Sequence, residues 1–291
     1  MVLLDGKKTA LDLREQLKLK VSGRQAGMPS PKLAAILVGN NGASETYVES
    51  KEKACLEAGI RSELIRFPES CTEQELLGKI EELNRNEDID GILVQLPLPA
   101  QMDEQKITRA VAPEKDVDGF HPENIGKLTL GMETYVPATP LGIMQLLEAY
   151  KINTSGMHTL VIGRSAIVGT PISILLSRNT NPGNCTVTLA HSKTKNLTEL
   201  SHQADIIIAA LGKPEFLKAN MVKEGAVVID VGITRIESKD LPKGYRIAGD
   251  VDFENVAPKC SFITPVPGGV GAMTIAALLM NTVKAWQKRR F

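Results

Sequence analysis

Short apolar runs alternate with helical patterns along almost the whole chain, and this alternation constrains the fold more than any single motif does. KLAAILVG (Lys32–Gly39), RSELIRF (Arg61–Phe67) and DGILVQL (Asp90–Leu96) read as strands. Between them lie a helix opened by Ser44 and a second opened by Thr72, whose TEQE stretch has the form of a capping box. Strand–helix–strand alternation implies right-handed crossovers and a parallel sheet. After two loop-rich stretches, ATPLGIMQLLEAY opens a long helix with Thr139 as cap and Pro140 in its first turn. A second series follows, with HTLVIG, CTVTLA, DIIIAA, AVVIDVG and CSFITPV as strands, and the chain closes on a helix from about Met273 to Lys288. The pattern predicts an α/β fold of two domains with parallel-rich sheets, joined near residues 120–140. The first covers 1–120, completed by the closing segment 273–291, and the second covers 140–270.

Charge narrows the partners. Lys plus Arg and Asp plus Glu each number 34, so no global field favours nucleic acid or an anionic membrane. The terminal basic cluster, Lys288 to Arg290, reads as a solvated helix end. Cys55, Cys71, Cys185 and Cys260 are widely spaced with no CxxC pair, which suits reduced structural thiols in an intracellular protein. The N-terminus lacks the apolar core of a signal peptide, and the most apolar helical segment, Ala272 to Met280, is too short to span a bilayer. The expectation is a soluble, cytoplasmic protein.

TLVIGRSAIVGTP, Thr159 to Pro171, has the order of a dinucleotide site: a strand, a glycine turn, a helix start. Ser165 stands where the middle glycine of the usual fingerprint would be, and the last glycine, Gly169, is displaced by one. The context still offers helix N-terminal N–H groups to a phosphate, although a purely structural glycine turn reads the same way. The next strand ends in His191, Ser192, Lys193 and Thr194, with no carboxylate for a ribose 2′-hydroxyl. With Arg164, that end suits a 2′-phosphate, so NADP is the expected cofactor.

In the first domain, the carboxyl ends of the strands carry the chemistry-bearing candidates. Tyr47 and Lys51 follow the first strand, Gln95 ends GILVQL, and Asp116 and Asp118 sit in KDVDGFH. On a helical projection Lys51 falls inside the apolar arc of its own helix, between Tyr47 and Cys55. It is either a lysine whose stem lies along apolar surface with its ammonium in water, or a buried group tuned for proton transfer. Gln95 and Asp116 each have a bland reading as well, a strand-end partner and a turn former. His121 has no second His or Cys at ligand spacing, so it reads as a loop histidine and no metal is expected.

YVESKEKA, GILVQLPLP, KDVDGFHPENIG, GRSAIVGTP and PVPGGVGAMT, in that order between about Leu33 and Met280, strongly resemble the bifunctional methylenetetrahydrofolate dehydrogenase/methenyltetrahydrofolate cyclohydrolase family. The resemblance implies a homodimeric enzyme with an N-terminal catalytic α/β domain, a C-terminal Rossmann-like NADP domain and an active-site cleft between them that receives the folate. It implies that Tyr47 stacks on the aminobenzoyl part of the substrate and that Lys51 is the acid/base of the hydrolytic step. Gln95 then supports Lys51, and Asp118 holds the polar edge of the pterin. Gly163, Arg164, Ser165, Ser192 and Ile233 match cofactor contacts, and Pro267, Gly268 and Gly269 match a loop where backbone approaches both ligands. Two positions depart from the family pattern: Ala272 replaces a proline and Ala138 a cysteine, and neither is a catalytic group. The competing readings are a non-catalytic nucleotide-sensing module and a relative that has kept only one of the two steps.

Overall fold

The computed structural model describes residues 1–40, 42–237 and 244–290. In chain order the elements begin with β1 (Val2–Leu3), α1 (Gly6–Ser22), β2 (Lys32–Val38), α2 (Gly42–Glu57), β3 (Arg61–Phe67), α3 (Glu73–Arg85) and β4 (Gly91–Val94). Three helices follow: α4 (Glu104–Ala110), α5 (Pro122–Thr129) and α6 (Ala138–Ala149). The second series is β5 (His158–Ile162), α7 (Gly169–Ser177), β6 (Thr186–Ala190), α8 (Leu197–Gln203), β7 (Ile206–Ala209) and β8 (Val227–Asp230). It closes with β9 (Thr234–Glu237), β10 (Tyr245–Ala248), α9 (Phe253–Val256), β11 (Phe262–Ile263) and α10 (Val270–Arg290). The chain divides into two compact units, Leu11–Ala138 with Ile275–Phe291, and Met1–Ala10 with Thr139–Thr274.

In the unit containing residues 11–138, β2 lies between β3 and β4, and both pairings are parallel. Leu33 to Val38 are all buried, as a strand covered on both faces requires. Beyond β4 the chain adds a short parallel bridge between Ile92 and Asp116, with the Ile92 N–H donating to the Lys115 carbonyl at 2.8 Å. α3 starts on the expected capping box, Thr72 and Glu75 each accepting the other's backbone N–H. Its Leu76, Ile80 and Leu83 repeat at helical spacing and pack with Ala34, Ile36, Ile92 and Val94 in one core.

The last turns of α10 close this unit. Asn281 is 3% exposed, and its Nδ2 donates to the Val117 and Val136 carbonyls, each at 2.8 Å. The Trp286 indole N–H donates to the Pro29 carbonyl at 3.0 Å, and Arg289 meets the buried Asp90 at 3.2 Å.

The other unit holds a six-stranded sheet in the order β1-β11-β8-β7-β5-β6, all parallel. Strand order reverses beside β5, since β6 extends the sheet on one side and β7 and β8 on the other. In such sheets this is where a crevice forms at the carboxyl ends of the strands. β7 and β8 are buried throughout, while β9 and β10 form a separate antiparallel hairpin with alternating exposure.

Several boundaries differ from the sequence reading. Met1–Ala10 cluster with residues 139–274 instead of opening the first unit, because β1 pairs in parallel with β11. α2 begins at Gly42, so Ser44 lies inside its first turn; the Ser44 side chain is outside the described residues. α6 begins at Ala138, one residue before the expected cap Thr139. Gln95 lies just past β4, although its N–H still donates to the Ile36 carbonyl at 2.9 Å. Neither β1, the β9–β10 hairpin nor α1 was assigned from sequence.

Replacing Asn281 with leucine removes both donors and leaves one buried carbonyl, of Val117, and one part-buried carbonyl, of Val136, without them. Asn281→Leu is expected to destabilise the protein by about 2–4 kcal/mol. Urea unfolding at neutral pH checks this, and an unchanged midpoint would sink the bridging role.

Candidate active site

One helix face, one strand end and one turn bring four of the expected residues together. Lys51 on α2 is only 5% exposed, so the solvated-ammonium reading is excluded. Its Nζ donates to Gln95 Oε1 at 3.0 Å and lies 4.5 Å from the centre of the Tyr47 ring, one helical turn earlier. The Gln95 amide is held in turn by Nε2 donating to the Leu96 carbonyl at 2.6 Å, which fixes Oε1 toward the lysine. Asp118 is half-buried in the turn after the Ile92–Asp116 bridge and is the carboxylate whose field acts on Lys51.

Burial disfavours both charges. Desolvation holds the Lys51 ammonium below the ordinary lysine pKa, against the pull of Asp118 and Cys55. Desolvation pushes the Asp118 carboxyl up to about 6, against Lys51, with Asp116 adding a like charge. A lysine whose ammonium is disfavoured by burial, in the field of a carboxyl raised to about 6, has the chemistry of a proton-transfer group. His121 has a structural job: it caps α5, with Nδ1 accepting the Glu123 N–H at 3.1 Å.

The nucleotide candidates lie in the unit of β5 to β8. Gly163 lies just past β5 at φ +126°, and a Cβ there would fall 2.0 Å from the Ala210 carbonyl oxygen. A Cβ on Gly169 would fall 1.9 Å from the Gly163 carbonyl oxygen, so this glycine presses α7 onto the strand end. Gly169 therefore does the packing work of the fingerprint's last glycine, one position late. Ser165, in place of the middle glycine, folds the loop on itself. Its Oγ accepts the Val168 N–H at 3.2 Å and its carbonyl accepts the Thr170 N–H at 3.0 Å. Part of the N–H array expected to face a phosphate is thus already occupied.

Arg164 and Ser192 are exposed at the ends of the paired strands β5 and β6, joined by the Gly163 N–H donating to the Ala190 carbonyl at 2.9 Å. The turn after β6 closes through His191 and Thr194, leaving Ser192 and Lys193 at its tip with no carboxylate. Ile233 is 60% exposed just past β8, and a Cβ on Gly271 would lie 3.0 Å from its side chain. Pro267, Gly268 (φ +112°) and Gly269 form the turn into α10. A glycine cradle, an exposed arginine and an acid-free strand end fit a dinucleotide carrying a 2′-phosphate.

Sequence reasoning missed the groups that shape this cradle. Asp230 ends β8 and accepts N–H groups of Gly232 at 2.9 Å, Asp250 at 2.8 Å and Val251 at 3.0 Å. Asp250 accepts the Leu211 and Gly212 N–H groups at 2.7 and 2.9 Å. These buried carboxylates tie the ends of β7 and β8 together, and burial pushes Asp230 up to about 7. An acid closing the apolar run AVVID at the end of a parallel strand was the available signal. Gly6 was missed too: a Cβ there would fall 2.0 Å from the Gly269 carbonyl oxygen, so the start of α1 backs the Pro267–Gly269 turn.

Two family models match. The tetrahydrofolate dehydrogenase/cyclohydrolase catalytic domain covers residues 4–118, and the NAD(P)-binding domain of the same family covers residues 137–290. A relative from Flavobacterium johnsoniae, the bifunctional protein FolD, is 62% identical over 99% of this chain and 98% of its own. The crystal structure of the bifunctional FolD methylenetetrahydrofolate dehydrogenase/cyclohydrolase from Campylobacter jejuni superposes with a TM-score of 0.93, at 49% identity over 99% of both chains. The Trypanosoma brucei methylenetetrahydrofolate dehydrogenase-cyclohydrolase, solved with NADP cofactor and inhibitor, gives 0.94 at 34% identity, over 99% of this chain and 98% of that one.

The charge geometry predicts a titration. Lys51 should lose its proton below the ordinary lysine value, and Asp118→Asn, by removing the carboxylate whose field holds that proton on, should lower the midpoint further. Heteronuclear NMR of the lysine Nζ signals in wild type and variant follows both. A midpoint that rises in the variant would contradict the assigned Asp118–Lys51 coupling.

Proposed function

The chain belongs to the tetrahydrofolate dehydrogenase/cyclohydrolase family, and from that premise we propose how its own residues share the two reactions. It is an enzyme that oxidises 5,10-methylenetetrahydrofolate to the 5,10-methenyl compound with NADP and hydrolyses that product to 10-formyltetrahydrofolate. NADP, when bound, supplies the acceptor for the hydride. Gly163, Arg164, Ser165, Ser192 and Ile233 hold it, with Arg164 and Ser192 on the 2′-phosphate. Tyr47 stacks on the aminobenzoyl group, Asp118 accepts from the polar edge of the pterin, and Pro267, Gly268 and Gly269 offer backbone to the ligands. Folate chemistry thus belongs to the unit of residues 11–138, and cofactor binding to that of residues 139–274.

The observation that carries this reading is the Lys51 ammonium, buried and hydrogen-bonded at 3.0 Å to an amide instead of a carboxylate. Neutral Lys51 takes a proton from the water that adds to the methenyl carbon. As the carbon–N5 bond breaks, the resulting ammonium returns a proton to N5, and the carbinol proton leaves to solvent as the formyl group forms. Gln95 holds the amine on line throughout. Hydride transfer asks only for alignment and uses no such relay.

A cytoplasmic homodimer acting on a small folate, with no nucleic-acid or membrane partner, completes the proposal. Four free, buried cysteines support the cytoplasmic part and equal counts of 34 basic and 34 acidic residues the lack of a nucleic-acid partner; no helix among the described residues is long and apolar enough to cross a membrane. Purified protein with methylenetetrahydrofolate and NADP⁺ tests the function, methenyl formation and decay being followed together. Absence of NADPH formation would favour a nucleotide sensor, and methenyl that never decays would favour a one-step relative.

Two variants separate the roles. Lys51→Met should cut hydrolysis by at least roughly 100-fold and dehydrogenation less, so that methenyl product accumulates in a two-wavelength time course. Hydrolysis at the wild-type rate by the folded variant would remove Lys51 from the mechanism. Arg164→Ala should raise the KM for NADP⁺ roughly 10- to 100-fold, the worth of a charge-assisted pair, and leave that for NAD⁺ nearly unchanged. An equal rise in both would place Arg164 away from the 2′-phosphate.

A further inference from the structure

Two charged side chains next to the active-site turn are buried and take no part in the chemistry assigned above. Lys115 is 2% exposed, and its Nζ donates to the Leu83, Asn84 and Asn86 carbonyls at 2.9, 2.7 and 2.7 Å, gripping the carboxyl end of α3. Asp116 is 4% exposed. One of its oxygens accepts the Gly119 and Phe120 N–H groups at 3.1 and 3.2 Å; the other accepts the His121 N–H at 2.7 Å and Asn124 Nδ2 at 2.8 Å. Asn124 is itself fixed, its Oδ1 accepting the Thr134 hydroxyl at 2.7 Å. Consecutive residues of an extended segment point to opposite sides, so the two anchors hold the chain from both.

Asp118 follows two residues later, inside the turn that Asp116 closes. The neighbours of Asp118 are pinned as well: Asn281 holds the Val117 carbonyl, and a Cβ on Gly119 (φ +74°) would fall 2.7 Å from the Pro137 nitrogen. We propose that Asp116, backed by Lys115, is a positioning residue for Asp118, setting where that carboxylate meets the folate and Lys51 without touching either. This rests on the role given to Asp118 above. The chemistry at position 116 is demanding, because four N–H donors converge on two oxygens. An asparagine has one acceptor oxygen, and its amide hydrogens would face donors on the other side. Asp116→Asn therefore loosens the turn while changing side-chain volume very little.

The experiment is a double-mutant cycle of Asp116→Asn, Asp118→Asn and the double variant, read by both folate reactions. NADPH binding is followed by fluorescence. Asp116→Asn should raise the folate KM and lower kcat/KM roughly 10- to 100-fold, the scale of a misplacement of about 1 Å. The KM for NADP⁺ should stay where it was. In the Asp118→Asn background the same change should cost less than about twofold, because the group it positions is gone. If Asp116→Asn does not fold, Asn124→Ala removes one of the four donors and should show the same non-additivity at roughly three- to tenfold. Equal losses with and without Asp118, or wild-type folate kinetics in Asp116→Asn, would overturn the proposal and leave Asp116 a fold residue only. Asp118→Asn at the wild-type rate would overturn it together with the role of Asp118 on which it stands.

Discussion

Taking the Lys51 ammonium out of water costs several kcal/mol before any partner is counted, and the sheet around it is arranged to meet that cost only in part. An amide oxygen at 3.0 Å and a ring face at 4.5 Å receive it, with Asp118 acting through its field. Each partner depends on a different element: Tyr47 on the same helix one turn back, Gln95 on the residue just past β4, Asp118 on the turn after the Ile92–Asp116 bridge. The parallel register of β2 with β4 and the bridge from Ile92 to Asp116 therefore set the lysine's surroundings. Lys115 shows the contrast. It is just as buried, yet three carbonyls saturate its three N–H groups, and it can only anchor. Two buried lysines in one unit thus differ in their surroundings: among the described residues three carbonyls accept from Lys115, whereas one amide oxygen accepts from Lys51.

Much of this was legible in the sequence, and the reasons differ by element. β2 could be read because an apolar run bounded by turn residues leaves few alternatives, and α3 because a capping box marks its start. Lys51 stood out because a charge inside an apolar arc conflicts with the helix's own periodicity, Gln95 because it ends a strand pattern, and Asp118 because the KDVDGFH stretch resembles a family motif. β1 could not be read: two residues make no pattern, and their pairing with β11 spans almost the whole chain. The β9–β10 hairpin alternates polar and apolar residues too briefly for a periodicity to register. The placement of Asp116 was visible, but its bond set was not, because three of its four donors are backbone N–H groups that no residue type announces.

The nucleotide unit solves its problem with backbone instead of side chains. Gly163 and Gly169 give contact distances that no Cβ allows, so the loop is specified by what is missing at those positions. The same holds at Gly232 and Gly249, where a Cβ would fall within 2.5 Å of Asp250 and 1.9 Å of Asp230. Glycines there admit the buried carboxylates that collect the loose N–H groups at the ends of β7 and β8. Ser165 belongs to the same logic: by accepting N–H groups of its own loop it fixes the helix start that a middle glycine would have left open.

The choice of an amide at position 95 follows from the burial of Lys51. A glutamate there would satisfy the same N–H and add a full negative charge at 3.0 Å, where attraction in a poorly solvated site greatly exceeds that in water. The lysine would then be held as an ammonium, unable to accept a proton from water. Glutamine gives the hydrogen bond without the charge. The tunable charge is left to Asp118, whose carboxyl sits near 6 and acts through its field. Its influence on the lysine therefore changes with its own protonation. In the proposed mechanism geometry is thus assigned to a neutral group and proton affinity to a separate one, so that the amine keeps its place whichever charge it carries.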